Sequence, residues 1–482
     1  MRWGDKRVKY GLGVATAVSC MALPALALFA ALAITACALD ESPVAEGATG
    51  AGPFSAIDAE SPSTGATCVP SGGGCVAVQR LAAGAFHTCA LLADGSARCW
   101  GLSWTGQLGD GVPLPHDDVD TFTTSPTVVV GITNAVAIAA AEFHTCAALR
   151  DGTVKCWGTA SLDELGILDA SASASIPRTV PGISTAVNVI AADDGATPGF
   201  NCALLSDGTV ACWGDNQFGE LGSADDANTF VPQVVPGLSG VTRLVTSFDG
   251  RNACAVLADQ TVECWGESVA GQRGVSAVTG LPAMVDWSPA PVGGLTEVEQ
   301  LSVGWGASCA ALQGGAVACW GAESANALGV LGSAAVVSCG DAGDAACAPE
   351  PTVLPQPVGV SAIAMNNAAC AVLDGGALDC WGSNLFGQLG RGSQDLDSNQ
   401  PAPVVRASGA PLSGVRQVVA GFNHVCALLD TGEVLCFGEN SSGQLGVDMT
   451  AEMGADPSIV CYPNGPYEDA YWCSRVAVPV EW

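Results

Sequence analysis

Basic residues are scarce in this chain: 16 lysines and arginines stand against 47 aspartates and glutamates, a formal net charge of −31 at pH 7. A surface of that sign repels a phosphate backbone, which excludes nucleic acid as a partner. Histidine is scarcer still, with four residues in all. His87, His144 and His424 recur at one place in a repeat, and His116 sits in a loop. No convergent acid–base or nucleophile set remains, so the chain reads as a non-enzyme without cofactor or metal. After an apolar run from Val14 to Ile34, no second stretch is long enough to span a bilayer.

Cysteine, by contrast, is abundant and ordered. Seven times, two cysteines enclose nine residues: Cys89 and Cys99, Cys146 and Cys156, Cys202 and Cys212, Cys254 and Cys264, Cys309 and Cys319, Cys370 and Cys380, Cys426 and Cys436. Alanine follows each first cysteine. The second is followed by Trp-Gly six times and by Phe437-Gly438 in the last copy. First cysteines recur at steps of 57, 56, 52, 55, 61 and 56 residues, a period that marks a repeat architecture.

The first copy, Cys89-Ala-Leu-Leu-Ala-Asp-Gly-Ser-Ala-Arg-Cys99, is two short apolar runs around a three-residue turn that ends in glycine. Such a loop is a type I turn followed by a left-handed residue. It sets Leu92 opposite Ser96 as the hydrogen-bonded closing pair. Alternation then brings the cysteines together at a non-bonded position, with Cα atoms ~4.5 Å apart, close enough for a disulfide. Gln260 replaces the turn glycine in the fourth copy, where the most strained turn is expected. Because neighbouring strand residues face opposite ways, Cys99 and Trp100 point to different sides, and both sides are apolar. Sheets stacked radially about an axis bury both faces. A strand precedes each pair (Val415–Ala420) and another follows a long loop (Pro126–Val130). Four strands in seven copies predict an all-β, seven-bladed propeller. The final Arg475–Val480 strand is expected to complete the first blade's sheet and lock the ring.

The residues Gly84-Ala-Phe-His-Thr-Cys-Ala-Leu91, Asp94-Gly95, Trp100-Gly101 and Gly106-Gln-Leu-Gly109 resemble the RCC1 (regulator of chromosome condensation) repeat family. The last motif recurs at Gly219–Gly222, Gly387–Gly390 and Gly443–Gly446, and decays to Gly271-Gln-Arg-Gly274 and Asn326-Ala-Leu-Gly329. The resemblance covers residues 76–482 and implies the propeller. It leaves function open among protein-binding scaffolds, inhibitors like beta-lactamase inhibitory protein II, and nucleotide exchange on small GTPases.

Residues 1–36 read as an export signal, with Arg2, Lys6, Arg7 and Lys9 before the apolar run. Ile34-Thr-Ala-Cys37 resembles the bacterial lipoprotein processing site, which makes Cys37 the lipidated residue of an envelope protein. Ala38 and Leu39 lack the aspartate that retains many lipoproteins in the inner membrane, so the outer membrane is expected. The alternative is an uncleaved spanning anchor. Residues 37–75 form the lipidated N-terminus and a Gly/Pro/Ser-rich tether. Losing the first 36 residues leaves 12 basic and 46 acidic side chains, a net charge of −34.

Of 22 cysteines, Cys20 leaves with the signal and Cys37 carries lipid, so 20 remain. Beyond the ladder they form three close pairs: Cys68 with Cys75, Cys339 with Cys347, and Cys461 with Cys473. An even count in an exported chain predicts ten disulfides. Buried free thiols are the alternative. Zinc fits less well, because histidine accompanies the cysteines in three blades only.

Three features compete as functional sites. The Phe-His-Thr-Cys motif is read as structural, its histidine bonding its own loop. The acidic loops Asp117-Asp118-Val-Asp120, Asp193-Asp194, Asp225-Asp226 and Asp395-Leu-Asp397 are read as solvated, since none has a calcium-loop spacing. The third is the turn before each first-cysteine strand, which carries Phe86, Phe143, Phe200, Phe248, Trp305 and Phe422. Large aromatics in wandering register on one face of a rigid ring suit a protein partner met by a monomer. Blade-end packing is the competing explanation.

Overall fold

The hairpin turn sets the register of each blade. Leu92 N–H donates to Ser96 O at 2.8 Å, and the ladder continues with Leu91 opposite Ala97, Ala90 opposite Arg98 and Cys89 opposite Cys99. The other six copies keep this pairing. Every ladder pair is a disulfide with Cα atoms 4.1 Å apart, as the spacing predicts. Cys89 is bonded to Cys99, Cys146 to Cys156, Cys202 to Cys212 and Cys254 to Cys264. Cys309 is bonded to Cys319, Cys370 to Cys380 and Cys426 to Cys436.

The computed structural model describes residues 69–71, 74–113, 121–159, 165–167, 173–193, 199–223, 227–247, 250–268, 271–274, 285–323, 329, 337–339, 345–393, 397–448, 460–461 and 471–482. Cys20, Cys37, Cys68, Phe248, the Asp117–Asp120 and Asp225-Asp226 loops, Asp194 and Asp395 lie outside the described residues. Among the described residues all regular structure is strand.

Blade 1 pairs Val78–Ala83, His87–Leu92, Ala97–Leu102 and Phe122–Val128 in chain order, all antiparallel. Six further sheets repeat the plan and make a seven-bladed propeller. The innermost strands surround a central channel of about 380 Å³, lined largely by alanine and β-branched residues. At least one cysteine of each outlying pair falls on an addition to this plan. Cys75 belongs to a two-stranded hairpin, Val69–Ser71 with Gly74–Val76, ahead of blade 1. Cys347 and Cys473 lie in the outer strands of blades 5 and 7, each of which pairs with an extra strand. All three of these cysteines are disulfide-bonded.

One rule holds the blades together. The disulfide of each blade shares an apolar cluster with the aromatic residue of the next. Cys89 and Cys99 pack with Trp157, Cys146 and Cys156 with Trp213, and Cys202 and Cys212 with Trp265. Cys254 and Cys264 pack with Trp320, Cys309 and Cys319 with Trp381, and Cys370 and Cys380 with Phe437. All of these side chains are fully buried. The Gly-Gln-Leu-Gly motif supplies the seat. Trp157 Nε1 donates to Gln107 O at 2.9 Å, and a Cβ on Gly109 would stand 2.6 Å from that nitrogen. Trp265 and Trp320 repeat the bond on Glu220 O and Gln272 O, at 2.7 and 2.8 Å. A buried indole needs such an acceptor, and phenylalanine does not. Phe437 keeps the seat, against Gly390, without the bond.

Ring closure differs from the expectation. Blade 1 owns four strands, and the last strand, Tyr471–Pro479, completes blade 7 instead. Among the described residues no strand is shared across the closing seam. It closes as the other seams do: Trp100 donates to Gln444 O at 3.0 Å, and Cys426 and Cys436 pack with it. Three further bonds tie the innermost strands. Gln417 receives Leu81 N–H at 3.0 Å and donates to Leu81 O at 3.1 Å, and Arg416 donates to Val78 O at 2.8 Å.

Candidate functional site: the loop face

In an antiparallel four-strand meander, the turns after strands one and three emerge on one face and the tight hairpins on the other. The loop face therefore carries both the aromatic turns and the Gly-Gln-Leu-Gly loops.

Three of the predicted aromatics meet there. Phe86 of blade 1 stands edge-on to Phe422 of blade 7, centroids 6.3 Å apart, and Trp305 of blade 5 reaches Phe422 at 5.7 Å. Trp305 spans blade 6, whose corresponding turn is Asn366-Asn367, small enough to leave the path open. Phe143 lies apart from these and stacks on Trp104 at 6.5 Å. Trp305 and Trp104 are 44% and 45% exposed, whereas Phe86, Phe143 and Phe422 are half-buried and support them. Phe200 does not join. It stands within its strand at the position His87 holds in blade 1, opposite Gly214, and is fully buried in the core between blades 3 and 4. Sequence reasoning missed Trp104. The signal was available, because Trp104 follows no second cysteine and so owes nothing to a seam.

Beneath the aromatics runs a belt of buried polar side chains. The histidines bond the next blade, not their own loop as expected. His87 Nε2 donates to Thr145 Oγ1 at 2.8 Å, and that hydroxyl donates to Gln107 O at 2.9 Å. The closing seam repeats the relay with His424, Thr88 and Gln444 O, at 2.9 and 3.1 Å. Since each hydroxyl's proton is committed to a carbonyl, the imidazole must be the donor through Nε2. Burial, with smaller contributions from His424 and His144, pushes His87 down to about 3; burial pushes His424 down to about 3 as well. Both are neutral structural groups at neutral pH.

His144 has different neighbours. Its Nδ1 meets Asp193 at 2.5 Å and its Nε2 meets Asn201 Oδ1 at 2.9 Å, and Asp193 also receives Phe143 N–H at 3.2 Å. Asp193 is 2% exposed, so the solvated-loop reading fails for this residue. The Asp–His alignment resembles half of a hydrolase triad, but the far nitrogen is held by the Asn201 amide oxygen of the next blade. Its geometry is that of a blade clamp.

Glu220 is a strongly perturbed acid. It stands where blades 1, 6 and 7 carry Gln107, Gln388 and Gln444, whose amide oxygens accept a loop N–H at 2.8 to 3.0 Å. Glu220 Oε2 makes the same bond with Phe218 N at 2.8 Å. Burial, and to a smaller degree the charges of Asp215 and Glu267, pushes its carboxyl up to about 8. Nearby, Arg251 lies over the Phe218 ring at 5.1 Å and pairs with Glu267 at 3.5 Å. Among the described residues no three of His, Cys, Asp and Glu gather as a metal site.

Comparison with known proteins places this architecture. The chain is 27% identical over 374 residues to the ultraviolet-B receptor UVR8 of Arabidopsis thaliana, covering 76% of this chain and 78% of that one. It is 29% identical over 205 residues to the E3 ubiquitin-protein ligase HERC2 of Homo sapiens, covering 42% of this chain but 4% of HERC2. Yeast RCC1 (Prp20), solved with Kap60 bound, superposes with a TM-score of 0.61 at 22% identity, over 72% of this chain and 78% of that one. Human WBSCR16 gives 0.61 at 16% identity, over 80% and 94%. These two likenesses concern the fold. Family models described as the regulator of chromosome condensation (RCC1) repeat match residues 78–107, 135–161, 207–257, 376–428 and 415–444, so RCC1 repeats are found in those segments.

Proposed function

We propose that this chain is a non-enzymatic protein-binding propeller, tethered to the bacterial cell envelope through lipid on Cys37, and that it takes its partner on the loop face. One observation carries the reading. Two tryptophans, Trp104 and Trp305, are each nearly half exposed there and are held by aromatic neighbours on a frame tied by seven hairpin disulfides. Rigid, amphipathic rings lose little entropy on binding and dominate protein interfaces. Yeast RCC1, of like fold, is solved with a protein, Kap60, bound to it. The belt histidines are neutral and committed to seams, which supports binding over catalysis.

The test is capture of envelope and secreted proteins of the source organism by the immobilised chain. A partner retained by the wild type should be lost by Trp104→Ala/Trp305→Ala, with the ring still folded. Saturable substrate turnover by the purified chain would overturn the reading. The tether is tested separately: Cys37→Ser should release the chain from the membrane fraction. Inhibition of an extracellular enzyme, as by beta-lactamase inhibitory protein II, is the same geometry with a different partner, and the exposed tryptophans support it equally. A panel of beta-lactamases and proteases, assayed at ~1 μM chain, separates the two.

A further inference from the structure

The opposite end of the channel holds a feature that the loop-face reading does not use. All seven innermost strands break register at the same point, between their first and third residues. The third residues are Arg80, Ala137, Asn188, Arg243, Gln300, Ala362 and Gln417. Equivalent positions in a ring of repeats stand at one level, so these seven form a belt near the channel's hairpin-side mouth. That this is the hairpin side follows from Ala135 N, at the start of an innermost strand, donating to Gly95 O of a hairpin turn.

The belt gathers two of the 12 basic residues that follow position 36. Arg80 and Arg243 belong to blades 1 and 4, three steps apart on a seven-membered ring, and so face each other from opposite walls. They repel: the charge of Arg80, after burial, lowers the pKa of Arg243, and Glu299 acts in the opposite direction. Arg243 donates to Gln300 Oε1 at 3.0 Å. Arg80 makes no hydrogen bond or ion pair among the described residues. Gln417 is spent on Leu81. Asn188 Oδ1 accepts Val189 N–H at 2.8 Å, so the amide NH2 groups of Asn188 and Gln300 remain as donors. Ala137 and Ala362 leave the rest of the belt free of bulk. Two guanidinium forks and two amide donors thus stand at one level of the ring, Arg80 and Asn188 lining the channel itself.

We propose that this belt binds a small multivalent oxyanion, of the phosphate, sulfate or polycarboxylate class, between Arg80 and Arg243. A planar fork meets two oxygens at once, and an anion with several oxygens is what two opposed forks can share. The anion also converts the repulsion between the two arginines into two attractions. The turn aspartates on the same face (Asp94, Asp151, Asp207 and Asp259) are engaged with Ser96, Thr153, Thr209 and Thr261 and are exposed, so salt screens them over ~8 Å. The site is independent of the loop-face partner.

Calorimetric titration of the full chain, disulfides intact, with phosphate and with citrate at ionic strength balanced by chloride tests it. One saturable site per chain is expected, weakened roughly tenfold or more by Arg80→Gln or Arg243→Gln and abolished by both together. Arg178→Gln, at an exposed position on the outer strand Ala174–Thr179 of blade 2, should leave it unchanged. Should a glutamine variant fail to fold, Arg80→Lys and Arg243→Lys keep the charge without the fork and are expected to bind more weakly than wild type. Absence of saturable heat up to about 10 mM of either anion, or equal binding by wild type and the double variant, overturns the proposal.

Discussion

The two faces of the ring are made by the same strands yet differ in what they permit. On the hairpin face the turns have one length and one register, and six left-handed glycines hold φ between 78° and 82°. On the loop face, the segments between third and outer strands run from 13 residues (384–396) to 31 (440–470). A tight turn has no slack, because its geometry fixes the disulfide and the next blade's first strand. A loop has slack once its base is latched by a glycine seat and an indole, so variation collects beyond the latch. The face that repeats builds the ring, and the face that varies is free to recognise a partner.

The comparison can be broken at the latch first. Trp157→Ala removes a fully buried indole from the first seam and should cost about 3–5 kcal/mol in denaturant unfolding. A loss under ~1 kcal/mol would mean that the loops, not the latch, hold the blades. The belt histidines come next. The folded ring keeps His87 and His424 neutral to about 3, whereas the unfolded chain protonates them near the ordinary value of 6.5. Their contribution is therefore complete above pH 6.5 and lost as pH falls toward 3. Between pH 7 and 5 it amounts to about 2 kcal/mol each, a loss that His87→Gln/His424→Gln protein should not show.

Glu220 has the opposite sign, since its carboxyl is raised from 4.5 to about 8. Folding disfavours its charged form from pH 4.5 upward. Glu220→Gln, which copies blades 1, 6 and 7, should stabilise the ring by about 3 kcal/mol at pH 7 and by almost nothing at pH 4. The smallest effect lies on the hairpin face. Gln260 (φ 64°) faces the blade-5 segment that begins with Glu297 (φ 60°), and these are the two non-glycine residues with positive φ among the described residues. Gln260→Gly should gain about 1 kcal/mol, read as a rise in thermal midpoint, whereas Gly152→Gln should lose more, because a Cβ there meets Ser184 O at 2.2 Å.

The hairpin face was nearly all legible in the sequence, because cysteine spacing and turn chemistry are local and strictly periodic. The seams were legible as far as Cys-Trp-Gly goes. What escaped depends on contacts between blades. The last strand reads as an orphan because 31 residues separate it from its own blade's third strand, and an orphan invites assignment to blade 1. Asp193 looks like a solvated loop acid until His144 of the preceding blade reaches it. In the sequence Phe200 precedes its first cysteine as the other aromatics do, but it is one residue nearer than Phe86 or Phe143, which places it inside the strand and in the core. The turn aromatics were recognised as a group, yet which of them stay exposed is set by their neighbours. Trp305 is left uncovered partly because blade 6 offers two asparagines in place of a ring.

Since blade 1 is whole and, among the described residues, no sheet is stitched from both ends of the ring, the chain's order of blades is a convention rather than a structural need. Joining residue 482 to residue 76 through a short linker and reopening the backbone between Val130 and Asn134 would give up the small Val69–Val76 hairpin but leave every blade, every ladder disulfide and every latch within a continuous stretch or an intact seam. Such a circular permutant is expected to fold to the same ring, which a propeller closed by a shared strand would not tolerate so simply. Each blade is then a cassette with its own covalent lock, joined to the next through a single buried aromatic ring.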